Sequence, residues 1–520
     1  MEKVQSFLYK CIEILAILIF GWLMILLFFC SDIWTYACKK SFLIGNISII
    51  LILFVGLLIW FFVGRKKAFN IKCFQYDRIV NFVTPILLLV EIYICYNIFF
   101  ETGWDPGYYI IPTARALVVN EDITAFNDNY FSMFPNNLLL VHIYYVILKL
   151  NSAIGVFGGE YQLMSIVVCN CVISTLTCRL IYSIICQKME IQYGFIAFCI
   201  SAVLLGLSPW MVICYSDSFG VFIPVLILYI YIKKNIPYYI RYPLIFILGY
   251  LGYYIKPQVL IMVIAIIIVI CLRHDNNNMK EKIKKGFIII LISGIVISTL
   301  ASVLQKIYIN EGFDTNSDRK FGMSHYLMMG LNPNSLGIYD LGDVELSASC
   351  KNQEEREKKN LEIAKERLES YGVKGYMQFL SKKMLTNYND GTFAWGVEGG
   401  FYSNIKQDIN SKMAVRLKKL YYNNGEYFSL YSTTVQFVWI TILVFIMMRT
   451  FFTISNKKKD YDYMVMILSI IGLTFFELLF EARARYLFIY IPIYIILGVY
   501  GMKNVNEWMK EKLERRITDE

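Results

Sequence analysis

The chain has 520 residues, of which 57% are hydrophobic and 17% charged, with a mean hydropathy of +0.52. A soluble domain is about 45–50% apolar and about 25% charged, so a soluble fold of this composition would leave too much hydrocarbon in water. Disorder is excluded on the same ground, since disordered chains are polar. The net charge of +10, from 50 basic and 40 acidic residues, is concentrated between apolar blocks. It reads as cytosolic loop charge rather than as a surface for nucleic acid.

The apolar blocks approach the ~20 residues that cross a bilayer. In chain order the spanning candidates are 11–30, 42–64, 79–100, 161–186, 191–213, 218–232, two within 239–272, 285–304, 430–450, 463–480 and 486–502, twelve in all. The first block is too long for the apolar part of a cleavable leader and has no clear small-residue cleavage site. The stretch 239–272 divides at Lys256-Pro257. Proline cannot continue a helix without losing a hydrogen bond, and a lysine at mid-bilayer is expensive, so a break is the cheaper solution.

Segment 137–150 (NLLLVHIYYVILKL) is apolar but short, and it carries His142 and Lys149. Charge decides its place. Arg65-Lys66-Lys67 with Lys72 and Arg78 belongs in the cytosol, which puts the acidic stretch 101–135 outside. If 137–150 does not cross, the basic loops at Lys233-Lys234, Arg273 to Lys285, Lys457 to Lys459 and Lys503 to Arg516 all fall inside. If it crosses, every one of them flips outside. The expectation is therefore a juxtamembrane helix over 137–155 on the outer surface, with both termini cytosolic.

Four regions follow. Residues 1–78 hold two N-terminal spans and a basic loop; 79–304 form a transmembrane core with an outer acidic loop at 101–160; 305–429 form an extracytosolic segment; 430–520 hold the last spans and a basic tail. In 305–429 an amphipathic helix is expected over 353–371, with Leu361, Ala364 and Leu368 on one face and Gly372 at its end. A second, over 374–386, carries Tyr376, Phe379 and Leu380. Nearly all of the 13 cysteines lie in apolar blocks, so there is no disulfide framework. No phosphate-loop or dinucleotide fingerprint appears, which argues against ATP-driven transport and a nucleotide-binding domain.

Ionisable residues at a membrane edge are functional candidates by default. Asp105, in Trp-Asp-Pro-Gly-Tyr-Tyr, lies just beyond the third span, where partial desolvation suits a carboxylate to take a proton. An ordinary loop residue is the bland alternative. Asp217, in Tyr-Ser-Asp-Ser-Phe-Gly, reads equally well as a helix cap or as a site carboxylate. Lys256 is flanked by apolar runs and precedes a helix start, where a cation and free N–H groups make an anion site. Glu477, Glu481, Arg483 and Arg485 cluster between the last two spans. Arginines on the outer side need a partner, either those glutamates or a phosphate. His325, Asp390, Trp395 and Glu398 lie in the outer segment, where Asn-Asp-Gly-Thr-Phe-Ala-Trp-Gly reads as an aromatic-lined turn, either a sugar-contact surface or plain turn chemistry. Three dispersed histidines argue against a His-rich metal site.

The order of these motifs resembles the GT-C membrane glycosyltransferases. The likeness is to the protein O-mannosyltransferase and aminoarabinose transferase group (glycosyltransferase family 39 type, Gram-positive branch). The matching elements are Asp105 after an early span, the Pro-containing Phe134-Pro135-Asn136-Asn137-Leu138, Ser208-Pro209 followed by Asp217, and the late Glu-x-Arg-x-Arg-Tyr. The resemblance covers roughly 79–505 and implies an all-α, GT-C-like bundle of about twelve transmembrane helices with outer juxtamembrane helices. It implies an inverting transfer of a sugar from a polyprenyl-phosphate donor to a surface glycan, lipid or protein on the outer face of the cell membrane. Asp105 would be the base and Asp217 a second site carboxylate. Lys256 and Arg485 would hold the donor phosphate, and Arg483, Glu481, His325, Asp390 and Trp395 would contact substrate. Asp105 is followed by proline where many relatives have a second acid, leaving one ligand fewer for a divalent metal. Two N-terminal spans are extra. A lipid-linked sugar flippase or a non-catalytic assembly component is the competing reading.

Overall fold

A computed structural model describes residues 2–31, 41–63, 73–156, 158, 162–273, 279–395, 397, 411–455 and 459–519. Among these the chain is α-helical and has no strand. The basic triplet 65–67, Lys72, Lys457, Lys458 and Glu398 lie outside the described residues.

Among the described residues seven helices are long and apolar enough to cross a membrane: Gln5–Phe29, Gln75–Asn97, Met164–Cys186, Lys284–Asn310, Phe428–Phe452, Tyr461–Leu479 and Ala484–Lys512. The shorter apolar helices Gly45–Gly56, Ile191–Gly206, Ser216–Ile232 and Val259–Leu272, with Tyr238–Ile255, lie where the other five spans were expected. Helical periodicity sorts each face. Along Met164–Cys186 the residues Val167, Cys171, Ser174, Cys178, Ile181 and Ile185 are buried, while Val172 and Leu176 are exposed as lipid-facing residues would be. The last span is the hub, with Leu487 to Leu497 containing a run of fully buried apolar side chains. It packs closely on Phe428–Ser455, where a Cβ on Gly501 would meet the Phe445 carbonyl oxygen at 1.9 Å. Small residues permit such backbone approach between membrane helices.

Two breaks fall where the sequence places them. Tyr238–Ile255 stops before an extended Lys256, and Val259–Leu272 starts after Pro257. The helix Gln353–Tyr388 contains a non-helical Gly372 at φ 57° that only glycine tolerates readily. A third boundary moves. The span expected over 191–213 leaves the helix at Gly206, because Pro209 forces Ser208 into extended backbone. The expected juxtamembrane helix is Leu138–Ala153. Its 16 residues reach only about 24 Å, short of a bilayer core.

In the helix Gln353–Tyr388 the packed face is not the expected one. Leu361 and Leu368 are exposed, whereas Arg356, Asn360 and Ala364 are buried. Polar bonding sets the rotation. Arg356 donates to the carbonyls of Ser347 and Asp318 at 2.8 and 2.7 Å. Arg367 makes a fork onto both Asp343 oxygens at 2.8 and 2.6 Å.

Candidate functional site

Four separate stretches converge at one end of the bundle. After the helix Cys73–Asn97 the chain turns through Trp104, a non-glycine residue at φ 55°, and Asp105 opens the π-helical turn Pro106–Ile110. Strained backbone of this kind persists where the surroundings impose it, often at functional sites. The second stretch is 208–217. Asn170 donates from Nδ2 to the carbonyls of Met211 and Ile213 at 3.0 and 3.1 Å, which fixes the non-helical approach to Tyr215 and Asp217. Lys256, in the helix break, is the third. The turn 480–485 between Tyr461–Leu479 and the last span is the fourth.

Asp217 is 1% exposed and does not cap its helix. Its Oδ1 accepts from Lys256, and its Oδ2 accepts from Arg485 Nη1 at 2.8 Å. One carboxylate between two cations leaves a net positive charge, and a buried carboxylate so paired is no proton acceptor. Around the cations stand aromatic faces. Lys256 lies 4.5 Å from the Tyr486 ring centre, and the Arg485 guanidinium lies 5.3, 5.6 and 5.1 Å from Trp104, Tyr215 and Tyr486. Tyr215 bridges to the other acid by donating to Asp105 Oδ2 at 2.7 Å. Asp105 is half-buried, beside Tyr130, whose ring stacks on Tyr109 at 4.2 Å. Tyr326 and Tyr339 of the segment 305–429 also feel its charge.

A family model described as a conserved hypothetical integral membrane protein matches residues 5–506. The chain belongs to this family. It is an integral membrane protein, as its composition and apolar helices require. No curated protein and no solved structure matches it.

In this family member the expected site residues separate into two groups. Asp105, Asp217, Lys256 and Arg485 form one linked cluster, with Arg483 beside it pairing with Glu481 at 3.1 Å. Arg483 thus pairs with the expected Glu481, whereas Arg485 pairs with Asp217, a partner not expected from the sequence. Glu477 accepts the Arg483 backbone N–H at 3.4 Å.

His325, Asp390 and Trp395 have other surroundings. The His325 ring is buried, hydrogen-bonded to Ser347 at 2.7 Å and packed at a tilt of 35° against the Phe321 ring, with centroids 4.3 Å apart. Burial pushes its pKa down to about 4, against the opposing pull of Glu481 and Asp343. Asp390 accepts the backbone N–H groups of Thr392 and Ala394 at 2.8 and 3.1 Å, shaping a turn in which Phe393 and Ala394 have positive φ. Trp395 is fully buried and donates to the Tyr421 carbonyl at 2.7 Å, so its face packs against Trp210 and Phe100. The divalent metal that the resemblance leaves open does not fit. Asp217 is already held by two cations that would repel one, and among the described residues no three of His, Cys, Asp and Glu gather.

Tyr215 and Tyr486 are the parts that sequence reading missed. Both lie close to charged candidates, in Tyr-Ser-Asp and Arg-Tyr. In a chain with 39 tyrosines that adjacency carries no signal of its own.

Proposed function

We propose that this integral membrane protein is an inverting glycosyltransferase. It moves a sugar from a polyprenyl-phosphate donor to a hydroxyl of a surface glycan, lipid or protein on the outer face. One observation carries the reading: a half-exposed carboxylate, Asp105, is tied through Tyr215 to a buried cluster with net positive charge, Asp217–Lys256–Arg485. A base and an anion-holding pair side by side suit this chemistry. Asp105 takes the acceptor proton as the oxygen bonds to the anomeric carbon. The bond from that carbon to the phosphate oxygen breaks, and the phosphate leaves as an anion stabilised by Lys256 and Arg485. No leaving-group acid is required. Asp217 serves here to orient the two cations and not as a second base. The outer location rests on the distribution of basic loops.

A transport reading is favoured by a different residue. Glu91, 1% exposed inside the span Cys73–Asn97, accepts from Thr175 Oγ1 at 3.1 Å, and buried intramembrane carboxyls mark ion paths in transporters. Mass spectrometry of lipid-linked sugars and surface glycans from cells with and without the protein separates the two. A transferase predicts one sugar missing from the acceptor and its polyprenyl-phosphate form accumulating, and Asp105→Asn reproduces both. A transporter is little affected by Asp105→Asn.

A further inference from the structure

The turn that carries Arg483 and Arg485 is gripped from the outer segment. Lys383, fully buried on the helix Gln353–Tyr388, donates from Nζ to the carbonyl oxygens of Gly330 and Phe480 at 2.8 and 2.6 Å. The Ala482 N–H donates to the Gly337 carbonyl at 2.8 Å. Gly330 lies so close that a Cβ there would be 2.5 Å from the Phe480 carbonyl carbon and oxygen. No other residue type fits without moving the turn. Three contacts from three parts of the outer segment thus fix residues 480–482, immediately before Arg483.

We propose that Lys383 is a positioning residue: it latches the outer segment onto the 480–482 turn and so holds Arg483 and Arg485 in place beside Asp217. The proposal rests on the reading of Arg485 as a phosphate-holding cation. A charge effect accompanies the geometry. Glu477 on the helix Tyr461–Leu479 and Glu481 on the turn both face Lys383. Burial pushes the Lys383 ammonium down to about 7, against the pull of those two glutamates. Between pH 6 and 8 the latch therefore changes from cationic to neutral, and the region beside the arginines loses one positive charge.

The test uses full-length protein in nanodiscs, with farnesyl phosphate as probe and farnesol as its uncharged control. Lys383→Met removes both donor and charge. Gly330→Ala displaces the same turn and leaves every charge in place. Amide hydrogen exchange over residues 479–486, read without ligand, is expected to rise in both variants. Farnesyl phosphate affinity is expected to fall about tenfold or more in Lys383→Met, the size of one lost charge-assisted contact. The ratio of wild-type to Lys383→Met affinity should be largest at pH 6 and shrink by pH 8, while Gly330→Ala follows the wild-type pH profile. Unchanged exchange over 479–486 in Lys383→Met overturns the latch. Parallel pH profiles for wild type and Lys383→Met overturn its charge role. A wild type that binds farnesol as well as farnesyl phosphate sinks the phosphate reading, and the exchange data then judge the latch alone.

Discussion

Asp217 and Asp105 are both carboxylates at the same end of the bundle, yet their surroundings assign them opposite tasks. Asp217→Asn leaves Lys256 and Arg485 as two buried cations without their shared counter-charge. Breaking a buried ion pair in this way costs about 3–5 kcal/mol, so thermal unfolding in detergent should show a clear loss of stability. Asp105 is half-exposed, and Asp105→Asn should leave stability within about 0.5 kcal/mol. Under the proposed function Lys256→Ala removes a charge-assisted contact to the donor phosphate worth about 1.5–3 kcal/mol, read as weaker donor binding. Unchanged donor affinity in that variant would mean that the lysine serves only Asp217. The four charges were legible in the sequence because each interrupts or borders an apolar block. Their pairing was not: Asp217 and Arg485 are 268 residues apart, and no local pattern encodes a contact at that separation.

At the scale of elements the segment 305–429 carries its own pH signature. His325 is buried neutral with its pKa lowered to about 4, whereas in an unfolded chain it titrates near 6.5. As pH falls from about 6.5 toward about 4, the unfolded segment binds a proton that the folded one refuses, so stability falls across that window. Limited proteolysis at pH 5 and pH 7 should show the wild-type segment cut faster at pH 5. His325→Gln should lose most of that difference, and a variant with the same pH response assigns the effect to another group. Breakers in this chain announce themselves, as Lys256-Pro257 and Gly372 do. The rotation of the helix Gln353–Tyr388 does not, because hydrophobic periodicity favoured Leu361 and Leu368 while Arg356, Asn360 and Arg367 found buried polar partners, Ser347 and Asp343, on the helix Leu341–Ala348. Asp390 and Trp395 read in sequence as a turn serving either sugar contact or plain turn chemistry, and in the fold that turn is buried.

For the whole molecule, membrane character follows from composition alone, and helix after helix lies where the apolar blocks predict it. Topology rests on charge. The proposed topology, with twelve crossings, puts residues 305–429 outside and both termini inside. An impermeant maleimide applied to intact cells should label Asp340→Cys and leave Lys510→Cys unlabelled; the reverse pattern would invert the protein and move the proposed site to the cytosol. The central claim is chemical, that Asp105 is the base of a sugar transfer held in place by the Asp217–Lys256–Arg485 cluster. Its most direct test is sugar release from a polyprenyl-phosphate donor, in the presence of acceptor, by purified protein in nanodiscs. Wild type should turn over, and Asp105→Asn should bind the donor with little change but react about 10²–10⁴ times more slowly. Turnover by Asp105→Asn at the wild-type rate would contradict the account.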